Sequence, residues 1–221
     1  MRSYGEYCAV AKSLDVVGNR WTLLIVRELL LRGPARYTDL RDGLPGIATN
    51  LLAERLRELE EEGLVARVQA PPPVATTLFR LTPRGEELRP VIERLVLWGM
   101  PLMARQLPND AVRSHWIGFA LESMLSDHDP DGPPLMIELR TGDQPVTLET
   151  HDGAVRARFG SADHPDAVLA GPPKPIAGFL IGWIELADAE AAGVRHEGDP
   201  KAFDRVRALP EAAPPATAGA A

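Results

Sequence analysis

Residues 47–62 limit what this 221-residue chain can fold into more than any other stretch. They carry Ile47, Leu52, Leu56 and Leu59 at helical spacing, with Ala48 and Leu51 beside them, the pattern of an amphipathic helix. The tight turn Leu44-Pro45-Gly46 precedes the segment and Gly63 stops it. With Leu52 at the centre of the inner face, Asn50, Ala53, Glu54 and Arg57 lie opposite and Thr49 flanks them. A helix of this kind needs a packed scaffold behind it and keeps a polar face of little bulk outside.

The flanking residues supply such a scaffold. Apolar positions from 7 to 31 fall into two helical stripes: Val10, Leu14 and Val17, then Leu23, Leu24, Val26 and Leu29 to Leu31. Val17-Gly18-Asn19 separates them and Gly33-Pro34 stops the second. Thr38 is placed to cap a short helix over 39–43. After Gly63, strands are expected over 64–69 and 77–81, joined by Ala70-Pro71-Pro72-Pro73-Val74-Ala75, which no helix can contain. Thr82 then caps a helix with Pro83 at its first position. The stripe Leu88, Val91, Ile92, Leu95, Trp98, Leu102 carries that helix to about Gln106. It would be about 37 Å long, more than a three-helix domain can cover, so the stripe calls for a partner.

Helix, short helix, turn, longer helix and two-stranded ribbon is the order of a winged helix-turn-helix. In that fold the second helix of the pair enters the major groove of double-stranded DNA. Asn50 suits adenine, Arg57 suits guanine, and Ala53 allows close approach to a thymine methyl. Thr49 and Glu54 border the same face. Arg36, Thr38 and Arg41 are placed to hold phosphates, and Arg67 and Arg80 stand on the ribbon. Glu60, Glu61 and Glu62 restrict contact to the first half of the helix. Taken singly, each arginine also reads as a solvated surface residue. Charge supports the pattern as a whole. The net −7 divides into +2 over residues 1–105, with fifteen Lys and Arg against thirteen Asp and Glu, and −9 over residues 106–221, with nine against eighteen. Only the first half suits a polyanion.

These residues carry a family resemblance. Cys8-Ala-Val-Ala-Lys-Ser-Leu-Asp-Val-Val-Gly-Asn-Arg-Trp-Thr-Leu-Leu-Ile resembles the opening of HxlR-type regulators, a branch near the MarR winged helices. Arg36-Tyr-Thr-Asp-Leu, Leu44-Pro-Gly-Ile, Leu56-Arg-Glu-Leu-Glu, Gly63-Leu-Val-Ala-Arg, Leu81-Thr-Pro-Arg-Gly and Trp98-Gly continue it in order. The resemblance covers about residues 7–105. It implies a homodimer joined by the first and last helices, through Val10, Leu14, Leu88, Ile92, Leu95 and Trp98, and reading a roughly palindromic site. Trp21 and Trp98 then serve packing. Two departures stand out. Ala48 occupies a position where the family usually starts its DNA-reading helix with Ser or Thr, and Pro71-Pro72-Pro73-Val74-Ala75 replaces the usual basic ribbon tip. Some members sense oxidants through a cysteine placed like Cys8. It is the chain's one cysteine, so an internal disulfide and a cysteine zinc cluster are excluded. Lys12, one turn on, is placed to favour the thiolate. Otherwise Cys8 is a small apolar residue near the interface.

Pro108-Asn109-Asp110 marks the expected boundary, giving domains at 1–107 and 108–209 and a disordered Ala/Pro tail at 210–221. The second domain is expected to begin with a helix over 111–125. Strands over 135–140, 146–150 and 155–160 follow, linked by Thr141-Gly142-Asp143 and His151-Asp152-Gly153. Then come a strand or turn over 167–171 and helices over 176–184 and 200–209. The fold class is therefore α+β, with the second domain a helix-covered antiparallel sheet. Trp116, Phe119, Met124, Ile137, Leu148, Phe159, Ile176, Phe179, Leu180 and Trp183 either fill that core or line a pocket. Phe159-Gly-Ser-Ala-Asp-His-Pro-Asp-Ala-Val-Leu-Ala-Gly, Gly178-Phe-Leu-Ile-Gly-Trp-Ile-Glu-Leu-Ala-Asp-Ala and Gly193-Val-Arg-His-Glu-Gly-Asp-Pro-Lys-Ala-Phe look like the later part of the sterol-carrier-protein type fold. That resemblance covers about residues 110–209 and implies an apolar tunnel for a hydrophobic small molecule.

His115, His128, His151, His164 and His196 are scattered without metal-ligand spacing. Hydrolase, Walker and dinucleotide fingerprints do not occur, so no catalytic residue, metal or cofactor is expected. No apolar run is long enough to span a membrane and the first residues lack a signal-peptide core, so a cytoplasmic location is expected. The expected function is a dimeric DNA-binding regulator, more readily a repressor because occupancy alone blocks a promoter, with a hydrophobic effector bound by its second domain. The alternatives are a redox sensor acting through Cys8 with a passive second domain, and a lipid-binding or scaffold protein whose winged helix only dimerises.

Overall fold

A computed structural model of the chain describes residues 3–70, 76–104, 110–111, 113–142 and 144–208. The expected domain boundary at 107/108, the ribbon tip at 71–75 and the tail at 210–221 lie outside those residues. The chain divides into two compact units, Met1–Leu95 and Val96–Ala221.

The first unit runs α1 (Ala9–Val17), α2 (Thr22–Arg32), α3 (Tyr37–Gly43), α4 (Thr49–Glu61), β1 (Val65–Gln69), β2 (Thr77–Leu81) and α5 (Pro83–Glu86) into α6 (Arg89–Gly99). Its core draws on α2, α3, the turn and α4, while Val10 and Leu14 of the first stripe stay exposed. Ile25, Val26, Leu29 and Leu31 of α2, Leu40 of α3, Leu44 of the turn and Leu52, Leu56 and Leu59 of α4 are all buried. Each such leucine contributes about 1.5–3 kcal/mol by leaving water. β1 and β2 pair antiparallel from Val65 opposite Leu81 to Gln69 opposite Thr77. Ala35 adds a bridge to Phe79, with N–H to O distances of 2.9 and 2.8 Å in the two directions.

Two expectations need correction. The cap of α3 is not Thr38. The Arg36 N–H donates to the Asp39 carboxylate at 3.0 Å, because a carboxylate three residues into a helix can turn back to the unpaired donor at its start. The single helix from 82 to 106 is also absent. α5 ends at Glu86, α6 starts at Arg89, and a 3-10 turn takes over at Met100–Ala104. Pro90 and Pro101 account for both breaks: proline has no N–H for the carbonyl four residues back, its ring clashes there, and it disfavours helix at the residue before it.

The second unit takes in the end of α6 and the 3-10 turn after it, then a 3-10 turn at Ser114–Trp116 and α7 (Ile117–Met124). β3 (Met136–Arg140), β4 (Val146–His151), β5 (Ala154–Phe159) and β6 (Ala167–Ala170) follow, then α8 (Pro173–Leu180), α9 (Leu186–Ala191), β7 (Arg195–Gly198) and α10 (Lys201–Val206). The unit is mixed α and β, but its sheet is not purely antiparallel. Strand order is β5-β4-β3-β6-β7, and β3 lies parallel to β6, Ile137 opposite Ala167. After β5 the chain crosses one face of the sheet instead of making another hairpin. Its path is fixed by Thr147, whose hydroxyl donates to the Gly160 carbonyl at 2.8 Å, and by Glu138, which accepts the Ala162 N–H at 2.9 Å.

The opposite face is apolar. Ile137, Leu148 and Ala157 align across three strands and are buried. On that side Phe203 of α10 meets Phe179 of α8 edge-on at 5.8 Å and His196 at 6.2 Å, and His115 meets Phe159 at 5.3 Å. The β5 edge is blunted by Glu122 of α7, which accepts the Ala157 N–H and an Arg156 N–H at 2.9 Å each. Pairing the outward amides of an edge strand removes a template for another chain.

Candidate nucleic-acid interface

α3, the turn and α4 form the helix pair. The apolar stripe of α4, Leu52, Leu56 and Leu59, is buried, so its other face is set outward. All ten residues expected to touch DNA are exposed: Arg36, Thr38, Arg41, Thr49, Asn50, Ala53, Glu54, Arg57, Arg67 and Arg80. Thr49, Asn50, Ala53, Glu54 and Arg57 share the outer face of α4. Arg36, Thr38 and Arg41 lie on or beside α3, and Arg67 and Arg80 stand on the ribbon.

Their local partners are weak. Arg57 reaches Glu61 at 3.8 Å with both side chains about two-thirds exposed, and Arg41 reaches Asp42 at 3.7 Å. Exposed pairs of this kind contribute about 0–1 kcal/mol, so phosphate or base can replace them at little cost. Arg67 is more firmly placed, 3.1 Å from Glu60 and stacked over the Phe79 ring at 5.4 Å. Asn50 has turned inward, its side-chain oxygen accepting the Leu51 N–H at 3.0 Å. It thereby satisfies a first-turn donor that Ala48, lacking a side-chain acceptor, leaves open. Reading adenine requires Asn50 to release that bond.

Three residues behind this face escaped the sequence reading. The Tyr37 hydroxyl donates to the Thr49 carbonyl and fastens the start of α4 to α3. Its only signal was an aromatic with a polar tip between two candidate phosphate ligands. Glu28, fully buried in α2, accepts from Arg27 at 2.8 Å and from Arg32 at 2.9 Å. A charged triplet in an apolar helix was the visible hint. Gly43 is the third. A Cβ there would lie 2.2 Å from the Glu28 carboxylate, so the last turn of α3 reaches α2 only because the residue is glycine.

The other expected sites divide. Val10, Leu14, Leu95 and Trp98 are exposed, Leu88 is half-buried, and Ile92 is buried. Phe119, Ile137, Leu148, Ile176, Phe179 and Leu180 are buried in the second unit, while Trp116, Met124 and Phe159 are half-buried. Trp183 stands 52% exposed, because α8 ends at Leu180 and Gly182 turns the chain outward with φ +78°. Cys8 is exposed at the N-terminus of α1, and the backbone N–H groups of Ala11 and Val10 draw its thiol pKa down. Lys12 instead reaches Asp15 at 3.9 Å. Among the described residues no cluster of His, Cys, Asp and Glu is disposed to hold a metal, and no helix is long and apolar enough to cross a membrane.

Residues 16–107 match the HxlR-like helix-turn-helix family. The chain is 36% identical over 87 residues to the HTH-type transcriptional regulator YvaP of Bacillus subtilis, covering 39% of this chain and 80% of that protein. The chain belongs to the HxlR-like family. It is also 38% identical over 88 residues to the HTH-type transcriptional regulator sll1512 of Synechocystis, covering 40% of this chain but only 64% of that relative's length. A solved MarR-family transcriptional regulator from Porphyromonas gingivalis is 33% identical, covering 45% of this chain and 97% of that one, with a TM-score of 0.40. Each of these matches covers less than half of this HxlR-like chain.

Proposed function

We propose that this HxlR-like chain is a transcriptional regulator that binds double-stranded DNA as a homodimer, with α4 in the major groove. One observation carries the proposal: the polar face of α4 and the basic residues around it are all solvent-exposed on a scaffold closed by Leu52, Leu56 and Leu59. Dimerisation is supported by apolar side chains left in water on α1 and α6. Val10 is 67% exposed, Leu95 45% and Trp98 73%, and large apolar side chains left in water are the kind that an interface covers. Ile92, packed inside its own unit, takes no part. The direct test measures binding of the full chain to duplex DNA against salt. Steep salt dependence is expected, and Arg41→Ala should reduce the slope by about one. Shallow dependence with no effect of Arg57→Ala returns the fold to a scaffold role.

The second unit is the sensor in this reading. Its helix-covered sheet and its resemblance to sterol-carrier proteins support a hydrophobic effector held on the Ile137–Leu148 face. An effector that prefers one dimer arrangement would change the spacing of the two α4 helices, and a tenfold change in DNA affinity needs about 1.4 kcal/mol of preference. Repression is the expected sign, because a bound dimer can occlude a promoter by occupancy alone. Native mass spectrometry of the purified protein tests it: a dimer carrying a few hundred extra daltons is expected, and a bare dimer that no apolar ligand shifts off DNA removes the sensor.

A second reading has its own support. Cys8 is exposed with a lowered thiol pKa, conditions that favour oxidation. Here DNA binding responds to oxidant through a mixed or interchain disulfide, and Cys8→Ser abolishes the response. An unchanged response in Cys8→Ser rejects it.

A further inference from the structure

We propose that Glu54 is the specificity-determining residue of α4, selecting cytosine at the base pair it faces. The inference rests on the DNA-binding reading above and adds which base the surface demands. Asn50, Ala53, Glu54 and Arg57 form one outward stripe, each a turn or less from the next. At its centre the only formal charge is negative. Arg57 leans towards the helix end, where Glu61 lies 3.8 Å away. Glu54 instead stays in the stripe, and Arg55 beside it donates to one carboxylate oxygen, Oε1, at 3.3 Å. Arg55 is only 14% exposed and is fastened on its other side by Glu58, so it serves as a fixed counter-ion. The second oxygen, Oε2, has no protein partner among the described residues. Half-exposed at 48%, Glu54 braces no other element.

A carboxylate only accepts hydrogen bonds, and in the groove it stands between phosphates. It is tolerated where the base edge offers a donor and rejected elsewhere. In the major groove guanine shows two acceptors and thymine an acceptor with a methyl group. Adenine sets its donor beside an acceptor, and only cytosine presents a donor alone. Arg55 offsets part of the repulsion from phosphates without covering Oε2. Glu54 therefore acts mainly by rejecting three of the four bases, and it lowers affinity for DNA in general.

The full-length protein and Glu54→Gln are each used to select sites from randomised duplexes, and the enriched sites are then measured singly. The wild type is expected to enrich one invariant cytosine in each half-site and to lose about tenfold in affinity when that base is changed. Glu54→Gln should lose this preference, shift towards adenine, and bind unrelated DNA more tightly. An identical selected site for both proteins, with the variant only tighter on every duplex, overturns the proposal. Selection of nothing by the wild type, with little salt dependence, overturns the DNA-binding reading and this inference with it. An unchanged thermal melt of Glu54→Gln shows that the difference is not one of folding.

Discussion

In the first unit Arg57 lies 3.8 Å from Glu61 with both side chains about two-thirds exposed, and Val10 and Leu95 stand 67% and 45% exposed. In the second, Arg205 grips Asp127 through two hydrogen bonds of 2.6 and 2.7 Å, and Phe119, Phe179 and Phe203 are sealed inside. Arg205 also reaches the Pro133 carbonyl at 2.6 Å, and Arg207 holds the Phe179 and Ile184 carbonyls and Glu185. The outer face of α4 leaves its polar groups available, whereas these arginines and phenylalanines of the second unit are satisfied within it. Partners can therefore add to the first unit without rearranging it, whereas an effector entering the second must displace packing already made.

The strongest way to break this contrast is Asp127→Ala. It leaves Arg205 uncompensated, and losing one member of a buried pair costs about 3–5 kcal/mol. Calorimetry should show the second unit melting earlier while α1 to α4 melt as before. A related test uses pH. Arg205 holds the Asp127 carboxyl below its usual range, so the stability it contributes is complete above about pH 4 and is lost as pH falls through the lowered value. Acid should melt the second unit selectively, and Asp127→Asn should remove that part of the pH dependence.

A smaller effect is expected from Leu95→Glu with Trp98→Glu. Both side chains lie in water, so folding should hold while sedimentation reports monomers. DNA affinity should then fall about 100-fold, because two linked half-sites become one. Unchanged sedimentation would mean that the exposed stripe is not an interface. Arg57→Ala should cost about tenfold, concentrated at one base position; a uniform loss would assign it to phosphate. Smallest is Tyr37→Phe, which removes one hydrogen bond to Thr49, worth about 1 kcal/mol. It should weaken DNA binding a few-fold without altering the salt slope, since the hydroxyl orients α4 and does not bind phosphate.

Much of the first unit was legible in advance because its signals are local. The spacing of Leu52, Leu56 and Leu59, the turn at Leu44-Pro45-Gly46 and the strand at Thr77–Leu81 each depend on a few neighbouring residues. The long helix was misjudged because an apolar stripe outweighed Pro90, whose missing N–H and ring clash work against a continuous helix there. In the second unit α9 and β7 were not anticipated. β7 is four residues, Arg195–Gly198, with one half-buried side chain, too short and too polar for alternation to register. The parallel pairing of β3 with β6 depends on a crossover held by Thr147 and Glu138, contacts between residues far apart in the chain.

Sequence alone determined the helix pair, the ribbon, the outward face of α4 and the family. Each follows from side-chain periodicity, turn residues or ordered motifs within a short span. Tertiary structure decided which charges are bound and which remain available. Glu28, Glu122 and Asp127 look on paper like any surface acid, yet they are buried against arginines or backbone amides. Glu54 and Arg57 keep only weak neighbours. Burial depends on what distant segments bring to the same place, and an ionised side chain can leave water only where they bring it a partner.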